Sequence, residues 1–309
     1  MLARTADSLF WVGRYSERAG NIARGLSASL RMASLTPAEN EGGEWQALLL
    51  ASGTEGGFRA THPAPVARDV VEWLTLDTAN PSSIASCLEA ARRNARAVRT
   101  ALTVDMWEAV NDTWIELQRT GKDVVQDDRL AGFLDWVKSR SLAFNGAAAD
   151  TMLRDDAWRF THLGTMLERA DNTARLLDAR HAAFASNSPA HHVQWQSALR
   201  SVSAMRAYQH VFRARLEPTR VAELLLLRRE MPRSLRFCYS RVDRTLAEIA
   251  AAEASLCGDC RDLSGRLLGR CEDARIEDIL ARGLHDFLTG AINDNIRLGA
   301  EIGRCFLVG

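Results

Sequence analysis

No apolar run in this chain approaches the roughly 20 residues that cross a bilayer, so no membrane association is expected. There is no excess charge of either sign, since 39 Lys and Arg balance 39 Asp and Glu. A general nucleic-acid binder carries a basic surplus, and that class is set aside. The opening MLARTADSLFWVGR has charges inside its apolar stretch and no cleavage signature, so no secretory signal is expected. Cysteines are few: Cys87, Cys238, Cys257, Cys260, Cys271 and Cys305, without the spacing of a disulfide scaffold. They are expected as reduced thiols in a cytoplasmic protein.

The usual catalytic and cofactor signatures are also missing. Cys257 and Cys260 have CxxC spacing, but no second ligand pair lies nearby to complete a zinc site. A redox CxxC usually opens a helix after a strand, and no strand is expected. This stretch reads as a loop between helices. His191 and His192 sit beside Pro189 in an expected loop without a third ligand, and His162 and His181 are too far apart to chelate on one helix face. Thr120-Gly121-Lys122 lacks the earlier glycine of a phosphate loop. No metal and no cofactor are therefore expected. Cys87 and Cys238 read as small core residues. Trp107 reads as core, and Glu108 and Asn111 are weak site candidates on its helix. The arginines of ARRNARAVR read as a solvated face.

What is present is helix. Period-2 strand patterns are absent, and long stretches rich in Ala, Leu, Arg and Glu carry the helical period. The pattern predicts helices over 3–33, 45–51, 66–76, 80–102, 105–118, 129–152, 155–184, 195–216, 218–227, 232–254 and 276–306. Pro81 is expected at the first helical position of its segment. With 309 residues the chain can bury one large core or two modest ones, and the fold class is all-α.

One stretch occurs twice, as ERAGNIAR at Glu17–Arg24 and ERADNTAR at Glu168–Arg175, 151 positions apart. The same register without gaps places Gly13 on Gly164, Val70 on Val221, Glu72 on Glu223, Pro81 on Pro232, Ser83 on Ser234 and Cys87 on Cys238. Such a period is read as tandem duplication of one helical unit of about 150 residues, giving units over 1–151 and 152–309 packed as one globular body. Two copies of one unit tend to meet about a pseudo-two-fold axis.

At roughly 100° per residue, Gly164, Glu168, Asn172 and Arg175 form one narrow stripe, and Gly13, Glu17, Asn21 and Arg24 form its counterpart. Antiparallel packing would bring Glu17 to Arg175 and Glu168 to Arg24. Within one helix, Glu17 and Arg24 are about 10 Å apart along the axis, awkward for a direct pair. Two readings follow. The stripes set the register of the two halves, or they line a polar cavity or partner surface. The residues at stake are Glu17, Arg18, Asn21, Arg24, Glu168, Arg169, Asn172 and Arg175.

The sequence resembles the bacterial Alpha-E family, all-helical proteins named for a Glu-Arg motif. The likeness rests on LFWVGRYSERAGNIAR at Leu9–Arg24 and WRFTHLGTMLERADNTAR at Trp158–Arg175. It also rests on NPSSIASCLEAARRNARAVR at Asn80–Arg99, DMWEAVN at Asp105–Asn111 and PRSLRFC at Pro232–Cys238. Members lie beside, or fused to, a circularly permuted ATP-grasp protein, often near a transglutaminase-like protease. The resemblance implies a helical accessory or partner subunit of a peptide or amide ligase, with the ER-motif helices forming a binding or co-catalytic site. Two alternatives stay open: a stand-alone enzyme with Glu17 or Glu168 as general base, or a pure assembly scaffold. One departure is Gly20, where family members commonly carry an acid, as the second copy does at Asp171.

Overall fold

The computed structural model describes residues 1–34, 41–181, 189–253 and 258–307, and among them there is helix but no strand. In chain order the helices are α1 (Ala3–Ala33), α2 (Glu41–Ser52), α3 (Glu55–Arg59), α4 (Ala67–Thr75), α5 (Ile84–Ala97), α6 (Val104–Arg119), α7 (Asp127–Thr151) and α8 (Asp156–Asp178). Then follow α9 (Pro189–Ser201), α10 (Met205–Phe212), α11 (Pro218–Leu226), α12 (Leu235–Glu253), α13 (Gly258–Glu272), α14 (Ile276–Arg282) and α15 (Leu284–Ile302). A short π-helical turn closes the series at Gly303–Leu307. Among the described residues no helix is long and apolar enough to cross a membrane.

Helix starts follow local chemistry. The Asp155 carboxylate accepts from the backbone N–H groups of Ala157 and Trp158 and opens α8. Ser83 caps α5 through the N–H of Ser86, and the Ser234 hydroxyl accepts from the N–H of Phe237 at the start of α12. Pro81 therefore lies in the turn before α5, not at its first position. Asn80 holds that turn, donating to the Trp73 carbonyl and accepting from the Ser82 N–H.

Several boundaries differ from the sequence reading, each for a local reason. The expected helix over 276–306 is broken at Gly283, whose φ of +110° only glycine adopts without strain. The expected helix over 195–216 begins earlier, at Pro189, and divides before α10, where Ser203 adopts φ +56°. His191 and His192 thus lie within helical backbone rather than a loop. The expected loop at the CxxC stretch is the helix α13 from Gly258 onward, and Cys257 lies outside the described residues. Cys87, Cys238, Cys260 and Cys271 are free and buried, whereas Cys305 is disulfide-bonded, which corrects the expectation of six reduced thiols.

The packing is organised by α1 and α8. Helix α1 touches α8, α5, α7, α9 and α2, and α8 touches α1, α12, α15 and α2. A helix surrounded in this way is buried around most of its circumference, and α1 buries polar Ser16, Glu17, Asn21, Arg24 and Ser29 together with its apolar residues. Two apolar clusters flank the pair. One is drawn from residues between Ala19 and Val137, including Trp45, Leu49, Phe58 and Leu134. The other joins the start of α1 to the second half of the chain, through Leu9, Phe10, Phe160, Leu167, Trp195 and Tyr239.

Candidate functional site

Helices α1 and α8 meet at glycines. A Cβ on Gly13 would strike the carbonyl oxygen of Thr161, and one on Gly164 would strike that of Phe10. The two backbones are in direct contact there. Further along, Arg18 reaches Glu168 and Arg169 reaches Glu17. The contacts advance together on both helices, so α1 and α8 run parallel. This corrects the antiparallel expectation, and with it the pairing of Glu17 with Arg175 and of Glu168 with Arg24. Each glutamate is instead met by the arginine that follows the other glutamate.

The geometry is that of two buried forks. Arg18 donates from Nε to Glu168 Oε1 at 2.5 Å and from Nη2 to Oε2 at 3.0 Å, while Arg14 Nε donates to Oε2 at 2.8 Å. Arg169 donates from Nη2 to Glu17 Oε2 at 2.9 Å and from Nε to Oε1 at 3.3 Å. Arg233 adds an ion pair to Glu17 Oε1 at 2.8 Å. Arg24 Nη2 also reaches Glu17 Oε1, at 3.4 Å, a direct pair within α1 that the axial spacing argued against. Arg14 and Arg233 escaped the sequence reading. Neither has an arginine at its 151-offset counterpart, so the repeat did not flag them.

Burial alone would push both carboxyls up. For Glu17 that effect is outweighed by Arg169, Arg233 and Arg24, and for Glu168 by Arg18 and Arg14. Glu168 is held down at about 2, and Glu17 well below the usual carboxylate range. Carboxylates held this low are poor proton acceptors at neutral pH, which argues against either as a general base. The sign of the pH dependence follows. A folded pKa below the unfolded value gives stability that is present above about 4.5 and is lost as pH falls from there through 2. Thermal melts across this range should show stability falling by up to ~1.4 kcal/mol per pH unit for each such carboxylate. A Glu168→Gln variant should show a shallower acid limb, and parallel limbs in the two proteins would contradict this account.

Beside the forks lies a polar cavity of about 220 Å³. Arg18, Asn21, Glu168, Asp171, Asn172 and Arg175 bound it, with Ser82 and Gly53 at its edge. Five of the eight residues singled out from sequence thus share one wall. Of the other three, Glu17 is fully buried, Arg169 covers it and also reaches the Pro232 carbonyl, and Arg24 points to a different cavity. Gly53 stands against the Arg175 guanidinium with φ +68°, where a side chain would be strained. Arg175 Nε donates to Asp171 Oδ2 at 2.7 Å. Two residues of this wall each carry a buried side-chain atom without a partner: the acceptor Asp171 Oδ1 and the donor Asn21 Nδ2. Buried polar atoms are rarely left unpaired, and these two offer one acceptor and one donor.

The remaining sequence candidates fall elsewhere. Burial raises the thiols of Cys87 and Cys238 to about 12, so they behave as core residues. Glu108 is exposed, while Asn111 accepts from Arg92 Nε. Trp107 is half-buried against the core with Arg99 over its ring. Arg93, Arg96 and Arg99 are exposed. One grouping was invisible in sequence: Asp178, His181 and His285 gather with their ligand atoms within 4.8 Å of one another. His285 Nδ1 lies 2.6 Å from Asp178 Oδ1, and its ring stacks on that of His181.

Comparison with known proteins finds one family and a few relatives. The model of a family described as a predicted alpha-helical domain with a conserved ER motif matches residues 1–307. An uncharacterised protein of Mycobacterium bovis is 26% identical over 306 residues, covering 91% of this chain and 34% of the relative. Uncharacterised proteins from two strains of Mycobacterium tuberculosis are 26% and 25% identical over the same length. The chain thus spans about a third of the length of these curated relatives. No solved structure matches it.

Proposed function

The chain belongs to the Alpha-E family, and from that premise we propose that it is a helical binding partner in an ATP-grasp-type peptide or amide ligation system. The cavity beside the ER motifs holds the amine acceptor. The observation that carries the binding role is the unpartnered pair, Asp171 Oδ1 and Asn21 Nδ2, in a wall built from both motifs. An incoming amine donates to Asp171, and the carbonyl or carboxylate beside it accepts from Asn21. The buried forks at Glu17 and Glu168 hold the wall in place. The partner, by family resemblance, is a circularly permuted ATP-grasp protein, with a transglutaminase-like protease in the same system. The greater length of the relatives fits a fused arrangement.

The same reading takes residues 1–151 and 152–309 as two copies of one unit about a pseudo-two-fold axis. Reciprocity supports it. Helices α4 and α11 begin and end 151 positions apart, and α5 and α12 begin 151 apart. Gly13 against Thr161 mirrors Gly164 against Phe10, and Arg18 on Glu168 mirrors Arg169 on Glu17. In this reading the axis runs along the parallel central helices.

The test is co-purification with the ATP-grasp protein, then ATP turnover with and without this chain. Asp171→Asn keeps the shape and removes the charge. It gives up only a partly exposed i,i+4 pair with Arg175, worth about 0.3–0.5 kcal/mol. Melting should stay nearly unchanged while coupled turnover at low acceptor concentration falls roughly ten- to hundredfold, the worth of a charged hydrogen bond. Wild-type coupled turnover in a stable Asp171→Asn/Asn172→Ala protein would remove the cavity from the mechanism.

A further inference from the structure

The charge around Glu17 does not balance. One carboxylate is shared by Arg24, Arg169 and Arg233, and all four side chains are largely buried. The second copy shows what is missing. There Asp171 stands four residues before Arg175 and pairs with it. Gly20 stands four residues before Arg24, and a side chain at Gly20 would press on the Ser141 hydroxyl of α7, its Cβ 2.5 Å from Oγ. Arg24 therefore has no acid of its own. It donates from Nη2 to Asn21 Oδ1 at 2.6 Å, and its Nε has no partner although the side chain is only 6% exposed. Burial and the neighbouring Arg233 lower its pKa to about 9.

Arg24 lines a second cavity, of about 340 Å³, together with Arg31, Lys138, Arg200 and Arg206. Ser27 and Ser203 bring hydroxyls to the wall, Ala28 and Met205 complete it, and no carboxylate is among its lining residues. Lys138 pairs with the exposed Asp135, on the same helix, and donates to the Ser27 hydroxyl. Among the described residues, Arg31, Arg200 and Arg206 form no ion pair. Three of the five cations around the recess thus have no counter-ion of their own, and an anion entering it relieves their mutual repulsion. A singly charged carboxylate leaves most of that repulsion in place. A phosphate brings two negative charges and several acceptor oxygens, which suit guanidinium forks and hydroxyl donors.

We propose that the recess between α1, α7, α9 and the start of α10 is a binding site for phosphate or a phosphoryl group, with buried Arg24 at its base and Arg31, Lys138, Arg200 and Arg206 at its mouth. It is separate from the acceptor cavity and stands or falls independently of it.

Calorimetric titration of the purified chain with inorganic phosphate and with pyrophosphate, at constant ionic strength, tests this. Saturable binding at one site per chain is expected. An Arg200→Gln/Arg206→Gln variant removes two exposed cations and should melt like wild type without anion, yet bind at least tenfold more weakly. Binding of inorganic phosphate alone identifies the free ion as sufficient; binding of pyrophosphate alone identifies a phosphoryl chain. Absence of saturable binding of either ion, or equal affinity in the variant, overturns the proposal.

Discussion

Glu17→Gln should cost about 3–5 kcal/mol of folding stability, the penalty for leaving buried charges without their partner. Glu17 is fully buried and is the shared counter-ion of Arg169, Arg233 and Arg24. A carboxamide keeps the size and part of the hydrogen bonding but not the charge, so three buried guanidinium groups would face one another. Against a typical total of about 5–15 kcal/mol, such a loss brings the domain close to unfolding. Glu168→Gln should cost less, since its partners Arg14 and Arg18 are more open to solvent, at 16% and 24% exposure. Denaturant melts of both variants check the order. In Glu17→Gln/Arg169→Gln the second change relieves the repulsion, so the double variant should lose less than the sum of the two singles. A Glu17→Gln protein that melts like wild type would show that the forks hold nothing together. Stability in a glutamate-to-glutamine variant therefore does not separate a register role from a binding role, and Asp171 is the residue that does.

Gly164→Ala carries the next largest expected effect. Overpacking costs typically 1–3 kcal/mol, and this site should lie at the top of that range, about 3 kcal/mol. The new methyl meets the Phe10 carbonyl, a backbone atom of α1 that cannot rotate aside. The gain of about 1 kcal/mol from replacing a helical glycine does not offset it. Relief requires α1 and α8 to separate, which loosens the Arg18–Glu168 and Arg169–Glu17 forks a few residues on. Gly13→Ala should behave alike, by its clash with the Thr161 carbonyl. Gly146→Ala, in α7 with open space around its Cα, is the control and should be neutral or stabilising. Equal melting of Gly164→Ala and Gly146→Ala would refute the glycine-mediated crossing.

The helical class, the segments α1, α4, α6 and α8 to within a few residues at most of their ends, and the recurrence of the Glu17 stretch at Glu168 were legible in the chain, because helical period, capping residues and repetition are local or self-comparing signals. Helix α13 was not: the CxxC spacing and scattered glycines masked its period. Nor was the break at Gly283, where a glycine inside an apolar helical pattern reads equally well as a tolerated residue. The sequence also carried the asymmetry between Gly20 and Asp171, but not its consequence.

The sequence by itself marked two helices as counterparts, since each carries a Glu-Arg stripe that recurs more closely than its apolar side. Tertiary structure alone decided how they meet. Two glycines let the backbones touch in parallel, and that register chose Arg18 for Glu168 and Arg169 for Glu17, brought in Arg14 and Arg233 from outside the motif, and left Asp171 Oδ1, Asn21 Nδ2 and Arg24 Nε without partners. The physical reason is separation: a helix's period is set by neighbours a few residues away, whereas a counter-ion some 150 positions distant is chosen by the backbone distance at which two helices can pack.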